Sequence, residues 1–186
     1  MSRVPVFVTA VPTATDDFQR LWVTSRVEQG GSHEAAVRYV SEGRLDAALA
    51  RPGVHVFMAR REGVPVGYVV LATRTFGLSE HSDLAIDSLF VVPAMRRHGV
   101  ARQLLAATAA QAERLGTELI ISNVPAQDRE ANRFFARLGF SAAMTRRVTT
   151  PGALRRRVHD ESEVSALENV LRRRRVSRAM SRSRSA

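Results

Sequence analysis

Residues Leu84 to Glu113 read LAIDSLFVVPAMRRHGVARQLLAATAAQAE, and this stretch limits what the chain can fold into more than any other. A continuous apolar run rich in β-branched residues, Leu84–Val92, meets Pro93. A short basic segment from Arg96 to Ala101 follows, and then an Ala/Leu segment without Gly or Pro runs to Gly116. The pattern is strand, loop, helix. Pro93 ends the strand because it cannot donate to a ladder. The first N–H groups of the helix have no intrahelical partner and point outward. Gly99 and Ala101 let a ligand approach the backbone closely. Free N–H groups, the positive helix end, Arg96 and Arg97 together make an anion site suited to phosphate or pyrophosphate.

Around this unit the chain alternates element types. Val6–Val11 is β-prone. Thr13, Thr15 and Asp16 offer N-caps for a helix that turns Phe18, Leu21, Trp22 and Val23 inward. Gly30-Gly31 ends that helix, and Ser32 caps a second one, with Ala36, Val37, Val40 and Leu45 inward, which runs to Arg51-Pro52-Gly53. Val54–Arg60 and Val66–Thr75 form a hairpin about Glu62-Gly63. Beyond Gly116 come a strand, Glu118–Asn123, and a helix, Asp128–Leu138, with Phe134, Phe135 and Leu138 inward. Phe140–Thr150 and Ala153–Val158 read as strands about a Pro151-Gly152 turn, and Glu161–Arg178 reads as a helix. The fold class is α/β, with a mixed sheet and helices on its faces.

Charge separates body from tail. Residues 1–145 hold 16 Arg against 14 acidic residues, and residues 146–186 hold 12 Arg against 4. The domain reading is therefore 1–158 for the folded body and 159–186 for a basic helix and a disordered Ser/Arg tail. That tail would contact phosphates without base specificity, so a nucleic acid or a protein is a candidate partner, beside a solvated terminus as the simpler reading. With no cysteine, disulfides and Cys-ligated zinc are excluded. His33, His55 and His159 have no metal-ligand spacing, so no metal is expected. No apolar run reaches the ~18 residues a membrane span needs. The opening MSRVPVFVTAVPTATDD lacks a signal-peptide core, and the expectation is a cytoplasmic protein.

Two motifs carry a family resemblance. The first is Leu89-Phe90-Val91-Val92-Pro93 followed by Arg96-Arg97-His98-Gly99-Val100-Ala101. The second is Ala131, Phe134-Phe135 and Leu138-Gly139-Phe140. Together with the element order before them, they resemble the GNAT family of acetyl-CoA-dependent N-acetyltransferases over roughly Val6 to Val158. The resemblance implies a mostly antiparallel central sheet, splayed where acyl-CoA enters, with helices on both faces. It implies acetyl transfer from acetyl-CoA, as co-substrate and without a metal, to a primary amine attacking directly in a ternary complex. The backbone N–H of Val91 would meet the thioester carbonyl, and Leu89 and Phe90 would pair with the pantetheine arm. Arg96, Arg97, His98, Gly99, Val100, Ala101 and Arg102 would hold the pyrophosphate, and Asn132 and Phe135 would complete the cofactor contacts. A homodimer is common in such folds.

The chain departs from the family pattern in three places. Phe135 stands where many members carry a Tyr able to protonate the leaving thiolate. Ala101 replaces the last Gly of the loop, and Asp128 stands where Asn is common. Asp87 is the acid–base candidate, since simple alternation puts its side chain on the face of Leu89 and Val91, beside the reading of a solvated strand residue. Glu80 and His81 before the strand, and Ser122 and Asn123 after it, are weaker candidates. Glu28, Glu34, Glu42, Glu80 and Asp83 are either an attraction for a cationic amine or solvated surface. A second functional reading is an acyl-CoA-binding module with little or no catalysis, docked on nucleic acid or protein by its tail.

Overall fold

A hairpin with a two-residue turn starts the sheet. Glu62 (φ +52°) and Gly63 (φ +78°) both take left-handed backbone, as a turn matching strand twist requires. The computed structural model describes residues 5–75, 82–143 and 147–158. The turn joins β2 (Val54–Arg61) to β3 (Val64–Thr75), and five strands follow in sheet order β1-β2-β3-β4-β5. The outer strand β1 (Val6–Ala10) pairs with β2, and β4 (Ser82–Val91) pairs with β3, all antiparallel. The last strand, β5 (Ile120–Ser122), joins β4 in parallel.

Register sorts the side chains between two faces. Val56, Met58, Tyr68 and Phe90 are paired across strands on one face and pack in a core with Phe18 and Leu21. Those two belong to α1 (Asp16–Glu28), which Thr15 caps by accepting from the Phe18 N–H. Ser32 caps α2 (His33–Ser41) through the Ala35 N–H. The expected long second helix is in fact two. Gly43, at φ +68°, breaks it before α3 (Arg44–Leu49), which buries Leu45. Val37, expected inward, is exposed.

Gly67, Val69, Leu71 and Val91 lie on the opposite face. They meet α4 (Val100–Leu115), whose Val100 and Leu104 are buried and which ends at left-handed Gly116. Gly67 is required there. A β-carbon at this position would lie 2.7 Å from the Phe90 carbonyl oxygen and 3.3 Å from Val100 Cγ1.

The chain forms two compact units, residues 1–133 and 134–186, and the whole sheet belongs to the first. Asp128 caps α5 (Arg129–Ala136) by accepting from the Ala131 N–H at 3.0 Å. In the second unit Phe135 packs edge-on against Phe134 and Phe140. The strands expected over 140–150 and 153–158 are not formed among the described residues. Residues 151–158 are instead a helix, α6. Thr150 caps it through the Ala153 N–H at 3.2 Å, and Pro151 sits in its first turn, where a missing N–H costs nothing. Pro151-Gly152 thus opens a helix rather than turning a hairpin. The helix expected over 161–178 and the Ser/Arg tail lie outside the described residues.

Candidate active site

The site is built from a fault in one strand. Along β3 and β4, Val70 faces Ser88 and Leu71 faces Ile86, which leaves Asp87 as an extra residue without a partner. This is a β-bulge, and it reverses the phase of everything after it. The Leu84 N–H points to β5 and bonds the Leu119 carbonyl at 3.0 Å. The Val92 N–H points the other way and bonds the Val66 carbonyl of β3 at 3.0 Å. Eight residues of regular strand would leave both on the same side. The bulge flips them, so the N–H groups of Leu89 and Val91 turn away from β3.

They turn toward a side that β5 has left. The β4–β5 pairing covers only Leu84–Ile120, Ala85–Ile121 and Ile86–Ser122. Beyond Ser122 the strands part, and Leu89 and Val91 present their peptide groups to the opening. An extended acyl-pantetheine chain could add there as a further strand, by main-chain hydrogen bonds.

Asp87 is placed differently from the sequence expectation. The bulge moves its side chain off the face of Leu89 and Val91 and onto that of Ser88 and Phe90. Arg74 of β3 clasps its carboxylate with both oxygens, at 2.8 and 2.7 Å. Asp87 therefore stands on the face that carries α1, not on the face that carries α4.

The loop after β4 makes a tight descent into α4. A single 3-10 turn, Pro93–Met95, comes first. Arg97 then adopts φ +63° and Gly99 φ +85°. Left-handed backbone at a non-glycine residue costs on the order of 1–3 kcal/mol and persists where the surroundings fix it. The N–H groups of Val100, Ala101 and Arg102 precede the first intrahelical bond, Gln103 N–H to the Gly99 carbonyl, and no side chain caps them. Arg97, His98 and Arg102 are exposed around them. The His98 Nδ1 lies 2.7 Å from the Arg96 carbonyl, which anchors the ring to its own loop.

Arg96 is committed elsewhere. Its Nε donates to the Val91 carbonyl at 3.2 Å, and its guanidinium grips both carboxylate oxygens of Glu28 at 2.7 Å. It ties the end of α1 to the end of β4 and is not a free cation for a phosphate. This also takes Glu28 out of the acidic set expected to attract an amine. Asn132 donates to the Pro125 and Asp128 carbonyls at 2.9 and 2.6 Å, so only its carbonyl oxygen is left for a ligand. Phe135 is buried. Ser122 and Asn123 stand where β5 leaves the sheet, and Glu80 and His81 lie outside the described residues.

Sequence reasoning missed the hydroxyl chain on the α1 face. Ser25 and Tyr68 are each 1% exposed, with their hydroxyl oxygens 2.5 Å apart, and Ser88 donates to Tyr68 at 3.4 Å. Burial raises the Tyr68 pKa. A Ser in a helix and a Tyr in a strand, 43 residues apart, carry no shared signal in the sequence.

This geometry has counterparts among known proteins. The model of the acetyltransferase (GNAT) family matches residues 15–140. An aminoalkylphosphonate N-acetyltransferase of Salmonella typhimurium is 35% identical over 95 residues, which are 50% of this chain and 61% of that protein. The ribosomal-protein-alanine N-acetyltransferase of Brucella melitensis biovar Abortus 2308 shares the fold at a TM-score of 0.64. It is 16% identical, with 78% of this chain and 99% of that one covered. An aminoglycoside N-acetyltransferase solved with CoA does so at 0.59 and 20% identity, with 78% and 93% covered. The splayed sheet, the bulged fourth strand and the glycine loop that opens α4 thus sit in a chain that belongs to the GNAT acetyltransferase family.

Proposed function

We propose that the protein transfers an acetyl group from acetyl-CoA to a primary amine within a ternary complex. The observation that carries this reading is the bulge at Asp87, which turns the Val91 N–H into the opening between β4 and β5. A thioester lying there has its carbonyl oxygen against a fixed donor. Such a donor gains strength as negative charge develops on that oxygen. The amine's lone pair forms the new C–N bond, the C–S bond breaks, and the CoA thiolate departs. The amine nitrogen gives up one proton, for which Asp87 is the candidate acceptor. It stands on the α1 face, so an acceptor would have to approach from that side, and Arg74 fixes its orientation.

The N–H groups from Arg97 to Arg102 suit the pyrophosphate, with Arg97 and Arg102 supplying charge. Phe135 has no proton to give, so the thiolate leaves as such or takes a proton from water. A cytoplasmic protein and a homodimer remain part of this reading. The second reading, an acyl-CoA-binding module with little or no catalysis, is kept by the phenylalanine at 135. Its tail would engage nucleic acid or protein.

Calorimetry with acetyl-CoA, paired with thiol release against an amine panel, tests the proposal. The panel should include an aminoalkylphosphonate, the acceptor class in the name of the Salmonella relative. Val91→Pro deletes one N–H that β3 does not use. It should retain CoA binding through the loop and lose about 100-fold or more in kcat, the scale of losing one oxyanion donor. Binding without turnover on any amine would favour the binding-module reading. Absence of acetyl-CoA binding would end both.

A further inference from the structure

An open cavity of about 650 Å³ lies between α1 and α2, and its walls include Trp22, Arg26, Arg38, Tyr39, Glu42 and Arg44. Trp22 and Tyr39 stack with their centroids 5.2 Å apart and planes at 24°. The Arg26 guanidinium lies 5.9 Å from the Trp22 centroid, and that of Arg44 lies 4.6 Å from the Tyr39 centroid. Each ring of the stacked pair thus carries both its aromatic neighbour and a guanidinium. With its ring faces covered, the cavity offers little stacking area to a planar ligand. What it offers is N–H donors: a guanidinium laid on a ring keeps five of them in its own plane, held in a rigid fork that suits oxyanions.

The charge points the same way. Three guanidiniums face one carboxylate. Glu42 approaches Arg44 only to 3.6 Å, with the two side chains 47% and 62% exposed. Arg26 spends one N–H on Gln29 at 3.4 Å. Arg38 makes no side-chain bond among the described residues. The cavity also shares α1 with the contacts that reach β4. Ser25, between Trp22 and Arg26, holds Tyr68 and through it Ser88, while Glu28 holds Arg96 beside the Val91 carbonyl.

We propose that this cavity binds the anionic end of the acceptor, an amine that carries a phosphonate, phosphate or carboxylate. The inference rests on the acetyl-transfer reading above. Guanidinium edges hold the oxyanion by charge-assisted hydrogen bonds, which leaves the amine end free to reach β4. The same positive field disfavours the ammonium form of a nearby amine, and the ammonium is the form that cannot attack. The acidic residues that might have drawn a cationic acceptor are thereby outweighed on this wall.

The test is calorimetry on the full chain with CoA present, using 2-aminoethylphosphonate, 3-aminopropanoate and 1-propylamine as probes. The first two separate tetrahedral from planar oxyanions, and the third removes the charge. Wild type should bind at least one anionic probe tenfold or more tighter than 1-propylamine. Arg38→Ala and Arg44→Ala should each weaken that binding about 10- to 100-fold, the scale of one charge-assisted hydrogen bond. Both arginines are exposed, so these variants should fold. Arg38→Lys should restore part of the loss, and acetyl-CoA affinity should not move. Equal binding of the neutral amine, or unchanged binding in both alanine variants, overturns the proposal. Transfer to amines without preference for an anionic group overturns this inference alone. Anion binding at the arginines with transfer to no amine overturns the acetyl-transfer reading and the acceptor assignment with it.

Discussion

Tyr68→Phe removes one oxygen from a side chain that is 1% exposed, and the cost follows from the order of the hydroxyls around it. The Ser25 hydroxyl has one hydrogen and gives it to the Trp22 carbonyl at 2.8 Å. In the 2.5 Å bond between them, Tyr68 must therefore be the donor and Ser25 the acceptor. Ser88 in turn donates to Tyr68. Phe at 68 keeps the ring contacts with Phe18 and Phe90, at 5.1 and 5.8 Å, and opens no large cavity. It leaves the Ser25 oxygen buried without its donor, while Ser88, only half-buried, can turn to water. The expected loss is about 1–3 kcal/mol, the cost of one orphaned buried group. It should not reach the ~3–5 kcal/mol of an aromatic truncated to Ala. Urea unfolding at pH 8 should show a lower midpoint with an unchanged m-value. The difference should then shrink with pH. Burial holds the folded Tyr68 pKa above its ordinary 10.0, so above pH 10 the unfolded chain has released a proton that the folded chain still binds. This contribution to stability is then lost as pH rises, and the Phe variant does not have it to lose. A loss below about 0.5 kcal/mol, or a difference that stays constant through pH 10, would refute this hydroxyl order.

Three further outcomes are expected. Gly67→Ala puts a β-carbon 2.7 Å from the Phe90 carbonyl oxygen and should cost about 1–3 kcal/mol by overpacking, visible as a lower Tm. Retained stability would show that β3 and β4 have room to shift at this point. Gly99→Ala meets no atom within 4 Å but forces a β-carbon onto φ +85°. It should cost about 1–2 kcal/mol in folding and weaken CoA binding in calorimetry; an unaltered loop affinity would count against the loop as a phosphate cradle. Asp87→Asn should lower kcat about 100-fold or more, measured as thiol release at saturating acetyl-CoA. Because the Asp87–Arg74 pair is exposed, the same variant should cost at most about 1 kcal/mol of stability. An Asn variant with a wild-type kcat would leave Asp87 a structural partner of Arg74.

Much of this was readable from residue order, and the failures share a cause. Pro93, Gly99 and Gly116 punctuate strand, loop and helix by their own backbone chemistry, so the central unit could be read locally. Thr15 and Ser32 are caps for the same reason. Pro151-Gly152 reads as a turn from sequence, but a proline serves equally at the first helical position, and the N-capping Thr150 decides between the two. The bulge at Asp87 is of another kind. Nothing in Ile86-Asp87-Ser88 marks it, because a bulge is a mismatch between two strands, created where Val70 and Leu71 leave only two places opposite three residues. Yet this mismatch aims the Val91 N–H outward and carries Asp87 to the opposite face. The likeness to a family supplied a role for Val91 that strand alternation could not have supported. An unbulged β4 pairing with β3 as it does at Leu84 would point the Val91 N–H into the sheet, where a ladder bond already claims it. The feature least visible in the sequence is thus the one on which the proposed chemistry depends.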